Sequence, residues 1–138
     1  MENTIFDPDY VSFDTAKILK VKNFNINSSK CYNESGTPVT VSLVIRRFKP
    51  ERTYYPRPQL WEVVKWLRVE HGIDIAIIPD SSSGERLLMR TYTYSIFTPV
   101  PHYLHCQIGR NNDNEIVYFS KPESATEAAI KQVLVNML

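Results

Sequence analysis

Residues 58–80, PQLWEVVKWLRVEHGIDIAIIPD, join a helix to a strand through one glycine. Leu60, Val63, Val64, Leu67 and His71 recur at the spacing that places them on one helical face. Pro58 suits the first turn, where its missing N–H costs nothing. Gly72 stands where a C-terminal glycine belongs. The spacing therefore predicts a helix over 58–71. Ile73, Ile75 and Ile77 then alternate with Asp74, Ala76 and Ile78, a strand signal that Pro79 is expected to end. Trp61 and Trp66 lie off the central stripe. They either widen the buried face or meet a partner, and the second alternative makes both candidate interface residues.

On the N-terminal side, Ser12 is a natural N-cap for a helix over 13–22. Phe13, Ala16 and Leu19 give it a narrow apolar stripe. Asn23 tolerates the left-handed turn that ends helices, and Phe24 can fold back on the last turn. NINSSKCYNESG (25–36) reads as loop. Val39, Val41, Leu43 and Ile45 alternate with Thr40, Ser42 and Arg46, which predicts a strand over 38–48. On the C-terminal side, strands are expected over 87–97, 103–108 and 115–119. PVPH (99–102) should interrupt them, and GRNNDN (109–114) suits a hairpin turn. Ser124 and Glu127 form an S-x-x-E capping box for a helix over 125–137. Its apolar stripe is Ala129, Ile130, Val133, Leu134 and Met137.

The fold class that follows is α+β. We expect a single domain over 1–138, built on an antiparallel sheet of about four to five strands with three helices mainly on one face. The chain has 138 residues, 43% of them hydrophobic and 22% charged, which is a globular balance and excludes wholesale disorder. Its longest apolar runs are far below the 18 residues a membrane helix needs. The acidic start MENTIFDPDY lacks the basic and apolar regions of a secretory signal, so a cytosolic protein is expected. Cys31 and Cys106 then read as reduced thiols rather than a bridge.

Three segments carry sequence blocks of a second kind. FDPDYVSFDTAKILKVKNF (6–24), YPRPQLWEVVKWLRVEHGIDIAI (55–77) and ESATEAAIKQVLVNML (123–138) cover 58 of the 138 residues. They resemble blocks shared by short proteins of gut Bacteroidetes and their phages and prophages, a family with no assigned activity. The middle block, with its proline, K-W-L-R and following E-H, is the most specific. Arg57 and Ala125 depart from the pattern, at positions without a known role. The resemblance implies a mobile-element origin and no mechanism.

Net charge is +1, but residues 15–68 carry eleven bases against three acids. Within that middle, Arg46, Arg47, Lys49 and Arg52 precede Tyr54, Tyr55 and Arg57. Bases hold phosphates, and sheet aromatics such as Tyr92 and Tyr94 can stack unpaired bases. These four basic residues are the candidate nucleic-acid contacts. The competing reading is a solvated surface. His102, His105 and Cys106 form H-x-x-H-C, yet on a strand His105 and Cys106 point to opposite faces, so no metal site is assigned. Leu104 and Ile108 flank Cys106 and suit a core thiol rather than a nucleophile. Glu62 with Arg68 and Glu70 with Lys65 read as a solvated helix face, while Asp7, Asp9 and Asp14 form an acidic start. No catalytic residue and no cofactor is expected. The leading reading is a non-enzymatic accessory protein working through protein contacts, with a homodimer as one form. Nucleic-acid binding is the alternative.

Overall fold

Ser12 opens the first helix, α1 (Phe13–Val21), by accepting the Thr15 N–H on its hydroxyl at 3.3 Å. Asn23 adopts φ 62°, and the Phe24 N–H returns to the Leu19 carbonyl at 3.0 Å. Phe24 is buried by that fold-back. Both helix ends are therefore where the sequence put them. The buried residues are Thr15, Ala16 and Leu19, so a threonine replaces Phe13 in the expected stripe. The computed structural model describes residues 9–24, 29–41, 53–80, 90–100 and 103–138, with residues 99–100 and 103–107 described as backbone.

A small antiparallel sheet follows, formed by β1 (Lys30–Tyr32), β2 (Pro38–Thr40) and β3 (Tyr55–Pro56) in the order β2-β1-β3. The stretch 25–36, read as loop, thus contains a strand and the turn of a hairpin. Asn33 drives the turn: its Oδ1 accepts the N–H groups of Ser35 at 2.9 Å and Thr37 at 3.0 Å. Gly36 takes φ 82° there, and the Phe13 ring occupies the space a Cβ would need. Residues 42–52 lie outside the described residues, and with them most of the strand expected over 38–48.

The second helix, α2 (Leu60–His71), begins two residues later than Pro58 implied. Pro58 belongs to an extended segment whose carbonyl accepts the Val11 N–H at 3.1 Å. The Glu62 carboxylate accepts the Gln59 N–H at 3.3 Å and closes the helix start. Leu60, Val63 and Leu67 are buried, but His71 is exposed and only edges against Trp66, so the stripe ends at Leu67. Gly72 ends the helix with φ 67° and donates to the Arg68 carbonyl at 3.1 Å. A side chain is strained in that region, so Gly72→Ala is expected to cost about 1 kcal/mol. A urea unfolding midpoint measures it.

The larger antiparallel sheet comprises β4 (Asp74–Asp80), β5 (Thr91–Val100) and β6 (Tyr103–Ile108), in that order. Pro79 does not stop β4; it pairs with Tyr92. Among the described residues β4 is an outer strand, where a missing N–H is tolerated on the side away from its neighbour. β5 ends within PVPH, later than expected because Pro99 and Val100 still belong to it, and Val100 stands opposite Tyr103 of β6. The GRNNDN turn is real, tightened by Asn111 Oδ1 and a left-handed Asn114. It is an excursion of 109–117 closed by an Arg110–Ile116 bridge, after which Phe119 pairs with Tyr92. The partner of β6 is therefore β5 and not 115–119.

The last helix, α3 (Pro122–Asn136), has its proline in the first turn and starts three residues earlier than expected. Its capping box does not form as read. Glu127 Oε1 instead accepts the Ser12 N–H at 2.6 Å and the Thr15 hydroxyl at 2.8 Å, so it caps α1 from across the molecule.

The architecture is α+β. The expected single sheet of four to five strands is replaced, among the described residues, by two three-stranded sheets. The reason is local: β1 and β3 are too short to show a period of two. Across the larger sheet Ile75 pairs with Ile96 and Ile77 with Tyr94. These side chains join Leu67, Ile130, Val133 and Leu134 in one core cluster, which also takes in Leu19, Phe24 and Tyr32. α3 lies on β4 and β5, α2 on β4 and α3, and α1 on α3 and β3.

Candidate functional site

The outward side of α2 and the face of β4 leave a groove of about 700 Å³. Leu60, Val64, Ile75 and Ile77 give it an apolar floor. Trp61, Lys65 and Arg68 rise along one wall, spaced on α2 so that they share a side. Asp9 and Gln59 lie at the end of the groove where α2 begins, and Pro122, Glu123 and Thr126 of α3 complete the lining. The lining thus combines Lys65 and Arg68 on α2 with the carboxylates Asp9 and Glu123.

Trp61 stands at the edge of this groove with 60% of its surface exposed. Its indole N–H donates to Gln59 Oε1, which fixes the ring against the helix start. Trp66 behaves differently. It is half-buried and stacks edge-on against Phe24 at 4.9 Å and His71 at 4.8 Å. Of the two indoles the sequence singled out, Trp66 closes the end of α1 and Trp61 faces outward. Large exposed aromatics of this kind are enriched at protein contacts.

The proposed stacking face on β5 does not exist as read. Tyr94 is only 5% exposed, lies under α3 and donates its hydroxyl to Gln132 Oε1. Burial raises its pKa above the ordinary tyrosine value. Tyr92 and Phe119 exchange backbone hydrogen bonds beside it. Arg46, Arg47, Lys49 and Arg52 lie outside the described residues, as do Asp7, His102 and the side chains of His105 and Cys106. Cys31 is buried in β1, its thiol 3.8 Å from the Ser29 carbonyl.

The carboxylates are spread over separate tasks. Asp14 meets Lys17 at 3.5 Å, Glu62 caps α2 and Glu127 caps α1. Neither Glu62 with Arg68 nor Glu70 with Lys65 forms an ion pair among the described residues. No family model, no curated relative and no solved structure matches this chain, so its site is defined by its own geometry.

Proposed function

We propose that the chain is a non-enzymatic accessory protein of mobile-element origin that works through protein contacts at the α2 groove. The first occupant of that groove is a second copy of the chain. The observation that carries this reading is Trp61, an indole left 60% exposed beside an apolar floor. The charges support it. A two-fold axis running along the groove would set Lys65 and Arg68 of one copy against the Glu123 side of the other. Unlike charges across such a contact set its register and speed its assembly.

Sedimentation equilibrium tests the reading directly. The wild type should exceed its 16.0 kDa monomer mass at micromolar concentration, and Trp61→Ala should return it to that mass with an unchanged circular dichroism spectrum. Charge swaps sharpen the test. Arg68→Glu and Glu123→Lys should each weaken self-association, and an equimolar mixture of the two should associate better than either alone. A monomeric wild type, or a dimer indifferent to Trp61, overturns it. The second reading, nucleic-acid binding by the basic middle of the chain, is favoured by Arg57, whose guanidinium carbon lies 4.1 Å above the Tyr10 ring.

A further inference from the structure

The phase of the hydrogen bonds along β4 follows from β5. The Tyr92 N–H donates to the Phe119 carbonyl at 2.7 Å, and the Tyr92 carbonyl accepts the Phe119 N–H at 2.8 Å. The Tyr94 carbonyl accepts the Gly109 N–H at 3.1 Å. Both tyrosines therefore point their backbone polar groups away from β4. Their partners Pro79 and Ile77, and Ile75 in the same phase opposite Ile96, point theirs away from β5. The outer flank of β4 thus carries the N–H and carbonyl groups of Ile75 and Ile77, with no strand paired to them among the described residues. Both ends of this stretch are closed. The Ile73 N–H is spent on the Leu67 carbonyl at 3.1 Å, and Pro79 has no N–H. Ile75, Ala76 and Ile77 are only partly buried, and Ile78 and Pro79 are exposed. An open edge of this kind is a template for a further strand.

The α2 groove runs along the same strand. α3 lies across β4 and β5, while α2 packs on β4 and α3. The side chains of Ile75 and Ile77, the two residues with outward backbone groups, floor the groove. A strand added at the usual spacing of about 4.8 Å carries alternate side chains on that same face, toward Leu60 and Val64. A hydrogen-bonding edge beside an apolar slot selects one kind of occupant, an extended chain. Charge sets its direction. β4 runs back along α2 after the turn at Gly72, so Arg68 in the last turn of α2, and Lys65 just before it, stand near the start of β4. Neither forms an ion pair among the described residues. A strand antiparallel to β4 ends beside them, which favours acidic residues at its C-terminal end.

We infer that β4 accepts an added strand from a partner protein: an extended segment antiparallel to it, apolar at alternate positions and acidic at its C-terminal end. Ile75 and Ile77 each supply one N–H and one carbonyl to that strand. These bonds are indifferent to side chains, so selectivity comes from the apolar floor and from Lys65 and Arg68. The inference rests on the reading of the α2 groove as a protein-contact surface, and not on self-association. The strand and a second copy of the chain exclude each other there, so the site belongs to the monomer.

The test uses the full chain and the fluorescein-labelled peptide KTVTVTVEE, followed by anisotropy and by amide hydrogen exchange. In the free protein the Ile75 and Ile77 amides should exchange rapidly, and those of Ala76 and Ile78, bonded to β5, slowly. Saturating peptide should slow Ile75 and Ile77 by at least about tenfold and leave their neighbours unchanged. N-methylating one alternate set of peptide amides should weaken binding by about tenfold or more, while the other set leaves it nearly unchanged. Arg68→Glu, at an exposed position, should weaken the parent peptide and favour one ending in two lysines. Absence of peptide binding overturns the inference. So does binding that leaves the Ile75 and Ile77 exchange unchanged, or equal effects of the two methylated sets. A monomeric wild type that binds the peptide refutes self-association alone. A dimer that the peptide neither enters nor dissociates refutes this inference alone.

Discussion

Replacing Glu127 by alanine should cost the fold about 3–4 kcal/mol. Its carboxylate accepts the Ser12 N–H at 2.6 Å and the hydroxyl of the wholly buried Thr15 at 2.8 Å. Hydrogen bonds to a charged group are worth about 1.5–3 kcal/mol each, and a buried donor left alone carries its own penalty. The carboxylate also stands at the N-terminus of α1, where negative charge meets the positive end of the helix dipole. Glu127→Gln retains an acceptor and loses the charge, so it should cost about half as much. Urea unfolding followed by tryptophan fluorescence measures both. An alanine variant within about 0.5 kcal/mol of wild type would show that the two helices hold together without this contact.

Gly109→Ala should be comparably severe for a different reason. A Cβ at this position falls within 2.7 Å of three atoms of the Tyr94 ring. That ring has nowhere to retreat. It is buried, tied to Gln132 and flanked by Phe119 at 6.3 Å. Overpacking of a core typically costs 1–3 kcal/mol, and a rigid ring places this case near about 3 kcal/mol. The cause can be separated from any backbone effect. In the Tyr94→Ala background the added methyl finds the space the ring has vacated. The two substitutions should then be non-additive by more than about 1 kcal/mol. Strict additivity would mean that Gly109 serves the turn and not the ring.

What the sequence disclosed was local. Ser12, Asn23 and Phe24 make the ends of α1 through bonds to residues at most five positions away, so their types alone announce them. Glu127 carries the same kind of signature, and it misleads. Its spacing from Ser124 suggests its own helix, while the actual donors are more than one hundred residues distant. A helical wheel puts both indoles off the α2 stripe. Only the fold-back of Phe24 from α1 covers Trp66 and leaves Trp61 outside. The small sheet escaped notice because β1 and β3 are only three and two residues long, too short to show a period of two. The α2 groove has the same origin, since its walls come from separate parts of the chain.

The clasp between α3 and α1 bears on how the protein is made. Chains emerge N-terminus first at about 5–20 residues per second. Ile75 and Ile77 are therefore synthesised about 3–12 seconds before Val133 and Leu134, which share their core. During that interval α1 lacks the carboxylate that caps it, and the larger sheet lacks the helix that lies across it. An apolar sheet surface waiting that long invites association with other nascent chains. Ribosomes that stall before residue 122 should accordingly release a product that chaperones retain and proteases remove.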